Sequence, residues 1–399
     1  MKILIISKSY YPEKTIVSKI AEGLYKHGHN VTVFTAKPSF GLGYILPGYQ
    51  NISYELVNGV KIHRVDVKPR RNSRHSRIRN DRYFYHNSRK WVKRTKEKFD
   101  VVYSYGYAPA TTLSAGNLYK RLHKVPHIAH VTEFSPDDIL MRKYTYKYSP
   151  DYLFLYFSAR HIYKKLDELI IPSPIYEEYV RKVLKLKKVN TTFIPAVPLI
   201  EEGIVNPYQY KKGFNIVYYG DIDKNHILSM LPEAMNKVSR PDIFFHLFGK
   251  GKYSSELLEE INRLNLGDRI ILHGDVPLND VPNCFTKADA CYLSISDKGY
   301  AGKAINEKLI FMMSQKKPII AVMEGDGEEV LKESGGGFIL KDNVDDLVFT
   351  VTKAANMNKK ELEIKGNNNY EYFLKHYQIS NIIADIESVL PKKGLQKIV

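Results

Sequence analysis

Four polar side chains crowd the start of one short helical pattern: Lys303, Asn306, Glu307 and Lys308, within AGKAINEKLIFMMSQKKPIIA (301–321). The segment reads as a loop, a helix of about two and a half turns, a turn and a buried strand. A helix N-terminus offers unpaired N–H groups and about half a positive charge, so it suits an anion. A diphosphate there would rest on the amides of Ala304, Ile305 and Asn306 and on the Lys303 and Lys308 ammonium groups. Glu307 can accept hydrogen bonds from sugar hydroxyls. The same residues also suit a plain solvated helix start, with Glu307 complementing the dipole.

Three further stretches put glycine at the end of a strand-like run. GDIDKN (220–225) carries Gly220, Asp221 and Lys224, and GKGKYSS (249–255) carries Gly249, Lys250 and Gly251. Such loops let backbone approach a ligand closely. HGDVP (273–277) places His273 and Gly274 where a base could be gripped. A lone Gly-x-Gly is weak evidence, but four glycine- or lysine-bearing strand ends in one half of the chain are harder to dismiss than any one alone.

The elements that must position these residues alternate strand and helix. KILIIS, NVTVFT, GVKIHRV, FDVVYSY, HIAHVT and ELIIP read as strands of the first half, with helical stripes between them. FNIVYYG, DIFFHLFG, RIILHG, ADACYLSI, KPIIAV and GFIL repeat the pattern in the second half. The fold class is α/β: two facing, Rossmann-like, doubly wound parallel-sheet domains. The expected division is an N-terminal domain 1–190, a linker 191–213, a second domain 214–365 and a helical segment 366–399 that packs back on the first. Open parallel sheets bind ligands at the carboxyl ends of their strands, where all four glycine-bearing ends lie.

Composition is that of an ordinary globular chain of 399 residues, 44% hydrophobic and 26% charged. Two cysteines, Cys284 and Cys291, have neither metal-ligand spacing nor catalytic surroundings and suit a reducing compartment. No run approaches the ~20 apolar residues of a membrane span, and DYLFLYFSA (151–159) reads as a buried helix. Charge is uneven. The formal net charge is +17, and residues 1–200 hold 35 Lys+Arg against 15 Asp+Glu. The first half therefore faces something anionic.

The ordered series VYYGDID, HLFGKGKYSSELLEEI, ILHGDVPLNDVPNCFTKADACYLSI and NEKLIFMMSQKKPIIA resembles family 4 of the retaining, GT-B-fold glycosyltransferases. YYPEKTIVSKIAEGLYKHGHNVTVFTAKPSFGLGYILPGYQNI, GVKIHRV and VPHIAHVTEFSPDDIL look like its capsule, O-antigen and exopolysaccharide branch. The resemblance covers roughly residues 1–385. It implies transfer of a sugar from a nucleotide donor, usually UDP-linked, to a hydroxyl, without metal or other cofactor and with the anomeric configuration kept. The second domain would bind the donor through Gly220, Lys224, Gly249, Gly251 and residues 303–308, and the first domain the acceptor. Glu133 stands where that branch has an aspartate and becomes the catalytic candidate, orienting or deprotonating the acceptor hydroxyl. The family's paired glutamates fall here on Lys303 and Phe311, so Glu307 is left to replace the ribose-binding carboxylate, and Lys303 suggests a charged donor such as a uronic acid. EKTIVSK (13–19) puts side chains where relatives have glycines.

Residues 68–98 carry 13 Lys+Arg against Asp81 and Glu97, among them Arg70, Arg71, Arg74, Arg77, Arg79 and Arg82, with Trp91 interleaved. A basic, aromatic loop suits an anionic membrane surface and a polyprenyl-diphosphate-linked acceptor at the cytoplasmic leaflet. A solvated helix is the plainer reading, and no nucleic-acid motif accompanies the stretch. The rivals to a peripheral, cytoplasmic glycosyltransferase are a non-catalytic GT-B subunit that binds a partner or glycan, a sugar-nucleotide epimerase and a nucleic-acid binder.

Overall fold

The computed structural model describes residues 1–391 apart from 40, 72, 142–144, 200–205, 224–227 and 296–298. The chain forms two compact units: residues 1–199 with the chain from 379 onward, and residues 200–378. Strand runs that are apolar throughout become sheet interiors, because a parallel sheet is covered by helices on both faces.

The first unit's strands are β1 (Lys2–Ile6), β2 (Asn30–Ala36), β3 (Tyr54–Val57), β4 (Val60–Val65), β5 (Val101–Gly106), β6 (His127–Val131), β7 (Glu168–Ile171) and β8 (Thr191–Phe193). Among the described residues they lie in the order β3-β4-β2-β1-β5-β6-β7-β8. All pairs are parallel except the β3–β4 hairpin. That hairpin turns on Asn58 and Gly59, both at positive φ (51° and 83°), the backbone that Asn-Gly favours. The second unit's strands are β9 (Phe214–Tyr219), β10 (Ile243–Phe248), β11 (Ile270–Gly274), β12 (Ala290–Ser294), β13 (Ile319–Val322) and β14 (Gly337–Leu340). Their order is β11-β10-β9-β12-β13-β14, all parallel. Each sheet therefore reverses its winding direction once, between β1 and β5 and between β9 and β12.

Three expectations need correction. The division falls at 199/200, because β8 joins the first sheet instead of belonging to a linker. The returning segment begins at Ile379, not 366, and the Lys359–His376 helix stays with the second unit. In the returning Ile379–Val389 helix, Ile382, Ile383 and Ile386 are buried. Ile383 reaches the Ile16–Lys26 helix at Gly23, where a Cβ would overlap its side chain, and Glu387 bonds His27 Nδ1 (2.9 Å) and His29 Nε2 (2.8 Å).

The third correction concerns the basic stretch. It is the Arg74–Arg94 helix, capped by Ser73 Oγ accepting from the Ser76 amide, and not a loop. Its inner face buries Ser76, Asn80, Asp81, Phe84, Ser88 and Val92. Trp91 packs inward on Phe34 (ring centroids 4.5 Å apart) and His63 (5.3 Å) and is no surface anchor. Conversely, DYLFLYFSA lies in the Pro150–Tyr163 helix, which buries Tyr152, Ala159, Ile162 and Tyr163 but leaves Leu153, Phe154 and Phe157 38%, 64% and 61% exposed.

Two histidines sit inside the first sheet. The Asn117 amide nitrogen donates to the Ile162 carbonyl (3.0 Å), which turns its oxygen toward His127 Nδ1 (2.9 Å). His127 is therefore the neutral Nδ1–H tautomer, with Ser104 Oγ donating to Nε2 (2.8 Å). Burial holds both His127 and His130 down at about 3. The unfolded chain takes up these protons near pH 6.5 while the folded chain does not, so stability is lost as pH falls from 6.5 toward 3. Thermal melts should show the melting temperature falling as the pH is lowered through that window. A His127→Gln variant, less stable at pH 7, should show the shallower dependence.

Candidate functional site

In the second unit the tips of β9, β10 and β11 are stitched edge to edge. The Gly220 amide donates to the Phe248 carbonyl (3.0 Å) and the Gly249 amide to the Gly274 carbonyl (2.7 Å). Gly220 and Gly249 take φ of 147° and 133°, a region closed to side-chain-bearing residues. A Cβ on Gly249 would overlap the Gly220 carbonyl oxygen, and one on Gly251 the Ile222 carbonyl oxygen. Close backbone packing thus accounts for these glycines before any ligand is considered.

Lys308 is what packing does not explain. The Glu307–Ser314 helix starts at Asn306, whose Oδ1 caps the Lys308 amide (2.8 Å). Its capped end carries the Lys308 side chain toward β9, where a Cβ on Gly220 would overlap Nζ. That ammonium is buried and, among the described residues, has no hydrogen-bond partner. It lies 5.8 Å from the centre of the Tyr218 ring, whose hydroxyl is spent on the Asp221 carbonyl (2.8 Å). Burial lowers the Lys308 pKa, with the Asp221 and Asp223 carboxylates opposing the shift. An unpaired buried charge costs stability unless an anion arrives to meet it. This ammonium, beside a helix N-terminus and the β9/β12 switch point, is placed to hold a phosphate.

The other residues expected at this site divide. Ala304 and Ile305 are buried side chains, so their contribution is backbone only. Because Asn306 occupies the Lys308 amide, that N–H is not bare. Lys303 and Lys250 point to solvent, paired with Glu324 (3.8 Å) and Asp275 (2.7 Å). Glu307 is exposed in the helix's first turn. Phe311 packs between Tyr219 and Phe285, ring centroids 6.5 and 5.6 Å away. Lys224 lies outside the described residues. His273 has no ring nitrogen left for a base. The Asn215 amide nitrogen donates to the Lys211 and Gly213 carbonyls, so its oxygen accepts from His246 Nε2 (3.0 Å). His246 Nδ1 must then accept from His273 Nε2 (3.0 Å), and His273 Nδ1 from the Tyr208 hydroxyl (3.3 Å). Burial first, then His273, pushes His246 down to about 4, so the relay is neutral at pH 7. The His273 ring stacks on Phe248 (4.3 Å) and shapes the strand tip.

The first unit carries a cavity of about 510 Å³ at the β1/β5 switch point, lined by Lys8, Glu13, Lys14, Arg70, Arg77 and Glu133 among others. Lys8 forms an ion pair with Asp81 of the Arg74–Arg94 helix, and Arg77 Nη2 donates to the Ala108 carbonyl (3.2 Å). The structure brings Glu133, Arg70 and Arg77 together, whereas Arg71, Arg74, Arg79 and Arg82 are exposed residues that do not line the cavity. Sequence reasoning missed Lys8, Tyr105 and Tyr107. The position of Lys8 just past β1 and of the tyrosines at the β5 tip was the available signal. No group of three metal-ligating side chains occurs among the described residues.

Two family models together span most of the chain: a glycosyl transferase 4-like domain over residues 14–196 and glycosyl transferases group 1 over 204–372. No curated protein matches the sequence. Solved structures match end to end at low identity. Sucrose-phosphate synthase of Thermosynechococcus elongatus is 15% identical with a TM-score of 0.71, over 97% of each chain. Anabaena HepE, solved with UDP, is 14% identical with a TM-score of 0.64, over 98% of this chain and 99% of that one. WaaG, a glycosyltransferase of lipopolysaccharide biosynthesis, is 12% identical with a TM-score of 0.66, over 98% of this chain and all of that one. The likeness establishes the shared fold. Within it, a Gly249→Ala variant should lose about 3 kcal/mol in denaturant unfolding, from overlap with the Gly220 carbonyl and the cost of a side chain at positive φ.

Proposed function

The chain belongs to the family 4 glycosyltransferases of the GT-B fold, and on that premise we propose a UDP-linked sugar as its donor and a lipid-linked saccharide hydroxyl as its acceptor. The observation that carries the donor half is the buried, unpartnered Lys308 ammonium at the β9 tip. It would neutralise the β-phosphate of the leaving UDP, strengthening as the C1–oxygen bond breaks and charge moves onto that phosphate. No metal is required for that role. UDP is the nucleotide bound by the structural neighbour HepE. Glu307, exposed in the same helix's first turn, is offered as acceptor for the ribose hydroxyls. Lys303, where the family places a carboxylate, would meet a negatively charged donor sugar such as a uronic acid.

The acceptor half rests on the first unit's cavity. Glu133 lines it and would orient the acceptor hydroxyl and receive its proton as the new bond to C1 forms with retained configuration. The basic residues around it suit a polyprenyl-diphosphate-linked saccharide at an anionic membrane, as in the synthesis of a surface polysaccharide. A non-catalytic subunit is the second reading, favoured by Phe311, which is packed against aromatic rings where the family has a carboxylate. Release of UDP from any donor–acceptor pair separates the two.

A thermal-shift panel of nucleotide sugars tests the donor assignment, since a ligand that binds only the folded chain raises its melting point. UDP-uronates should raise it more than neutral UDP-hexoses. Lys308→Met should weaken UDP binding about tenfold or more while leaving the unliganded protein as stable or about 1 kcal/mol more so, because a buried unpaired charge is removed. Glu133→Gln should keep the UDP shift and lower kcat by roughly 10²–10⁴-fold.

A further inference from the structure

The Pro150–Tyr163 helix wears apolar residues on both faces. Its inner residues Tyr152, Ala159, Ile162 and Tyr163 reach the core, while Leu153, Phe154 and Phe157, at i, i+1 and i+4, form an outward ridge. Tyr146 and Tyr148, exposed by 73% and 69%, lie just ahead of the Ser149 cap in sequence, and the Tyr148 ring sits 6.0 Å from that of Tyr152. A solvent-facing stripe of this kind has no role in holding the fold, and a contiguous exposed apolar patch marks a contact surface.

Its surroundings state the chemistry of the partner. Lys147 lies 5.3 Å from the centre of the Tyr148 ring, the helix carries Arg160 and His161 in its last turn, and Lys164 and Lys165 follow it. Asp151 at its first turn pairs with Arg74, the first residue of the basic helix. Beyond that bridge the basic helix exposes Ile78, Arg79, Arg82 and Tyr83. Aromatic and aliphatic groups ringed by cations match an anionic lipid bilayer, where rings settle at the interface and each cation gains from the headgroups. An acidic protein surface would match the cations but not Phe154 and Phe157 together with Leu153. At 14 residues the helix is about 21 Å long, enough to lie in the interface and too short to span.

We propose that this ridge, Leu153, Phe154 and Phe157 with Tyr146 and Tyr148, inserts into the acyl boundary of an anionic bilayer, with Arg74, Arg79 and Arg82 of the neighbouring helix on the headgroups. The inference rests on reading the first unit as the acceptor side. Arg70 and Arg77, which line its cavity, lie at the same end of the basic helix as Arg74 and Ile78. Membrane contact is thereby moved from the inward-packed Trp91 to a helix that the charge pattern alone did not single out.

Flotation with phosphatidylcholine vesicles, with and without phosphatidylglycerol, is the test. The full chain should float only with the anionic vesicles. A Phe154→Ser/Phe157→Ser variant should lose about tenfold or more of that binding, and Arg74→Gln/Arg79→Gln/Arg82→Gln should make the remainder insensitive to salt. A Phe154→Trp variant should shift its emission to the blue and be quenched by brominated acyl chains, while Trp91, the one native tryptophan, stays unmoved in the wild type. Undiminished flotation of the double serine variant, or binding without any change in Phe154→Trp emission, overturns the proposal. So does a wild-type dimer that the serine substitutions dissociate without vesicles. The UDP melting shift is read in parallel. Its absence from the wild type would defeat the donor assignment and leave the vesicle result standing, and its presence in the serine variant shows that the variant is folded.

Discussion

Among the described residues, one ammonium group held out of water without a hydrogen-bond partner defines the candidate site of the second unit. Lys308 Nζ is brought there by an ordinary set of constraints: a short helix capped by Asn306, a glycine at 220 that leaves room for the lysine, and Tyr218 beneath it. Two neighbouring polar groups already have their bonds, the Tyr218 hydroxyl with the Asp221 carbonyl and the Gly220 amide with the Phe248 carbonyl. The ammonium has no hydrogen-bond partner among the described residues, and only the Asp221 and Asp223 carboxylates oppose the lowering of its pKa by burial. A buried charge without a hydrogen-bond partner costs stability, and an anion bound beside it would offset that cost.

The first unit solves a different electrostatic problem. Part of its surplus of positive charge lies on one helix that serves three purposes. Asp81, Phe84 and Val92 hold it to the sheet, Arg70 and Arg77 at and before its first turns line the cavity, and Arg79 and Arg82 face water. Inside the cavity the cations are not bare, since Lys8 pairs with Asp81 and Arg77 reaches a backbone carbonyl. The cavity therefore presents charges of both signs, whereas the second unit's tip presents one ammonium with no hydrogen-bond partner among the described residues. In both units the site lies where the sheet changes winding direction, because there two neighbouring strand ends diverge and leave a crevice that no connection fills.

The strands of both sheets were legible as short apolar runs, since burial on both faces leaves no other pattern for a parallel strand. β3 was missed although its signal was present: Asn58-Gly59 is a strong local hairpin dipeptide, but the antiparallel edge strand before it is half exposed and reads as polar loop. β8 was hidden because a three-residue strand has too little periodicity to register. The site residues were legible as types and only partly as contacts. Lys303, Lys250 and Lys308 are equivalent as lysines near glycine-bearing strand ends, yet two pair at the surface and one is sealed under a strand tip.

By itself the sequence determined the α/β class, the doubly wound pattern and the family, because these follow from periodicity and the order of motifs along the chain. Tertiary structure alone decided direction. It turned Trp91 into the core and Phe154 and Phe157 out of it, left Lys308 without a hydrogen-bond partner among the described residues, and used both nitrogens of His273 in a relay anchored by Asn215. Helical spacing says which residues share a face, but which of two apolar faces is covered depends on what packs against it, and that is supplied by residues far away in the chain.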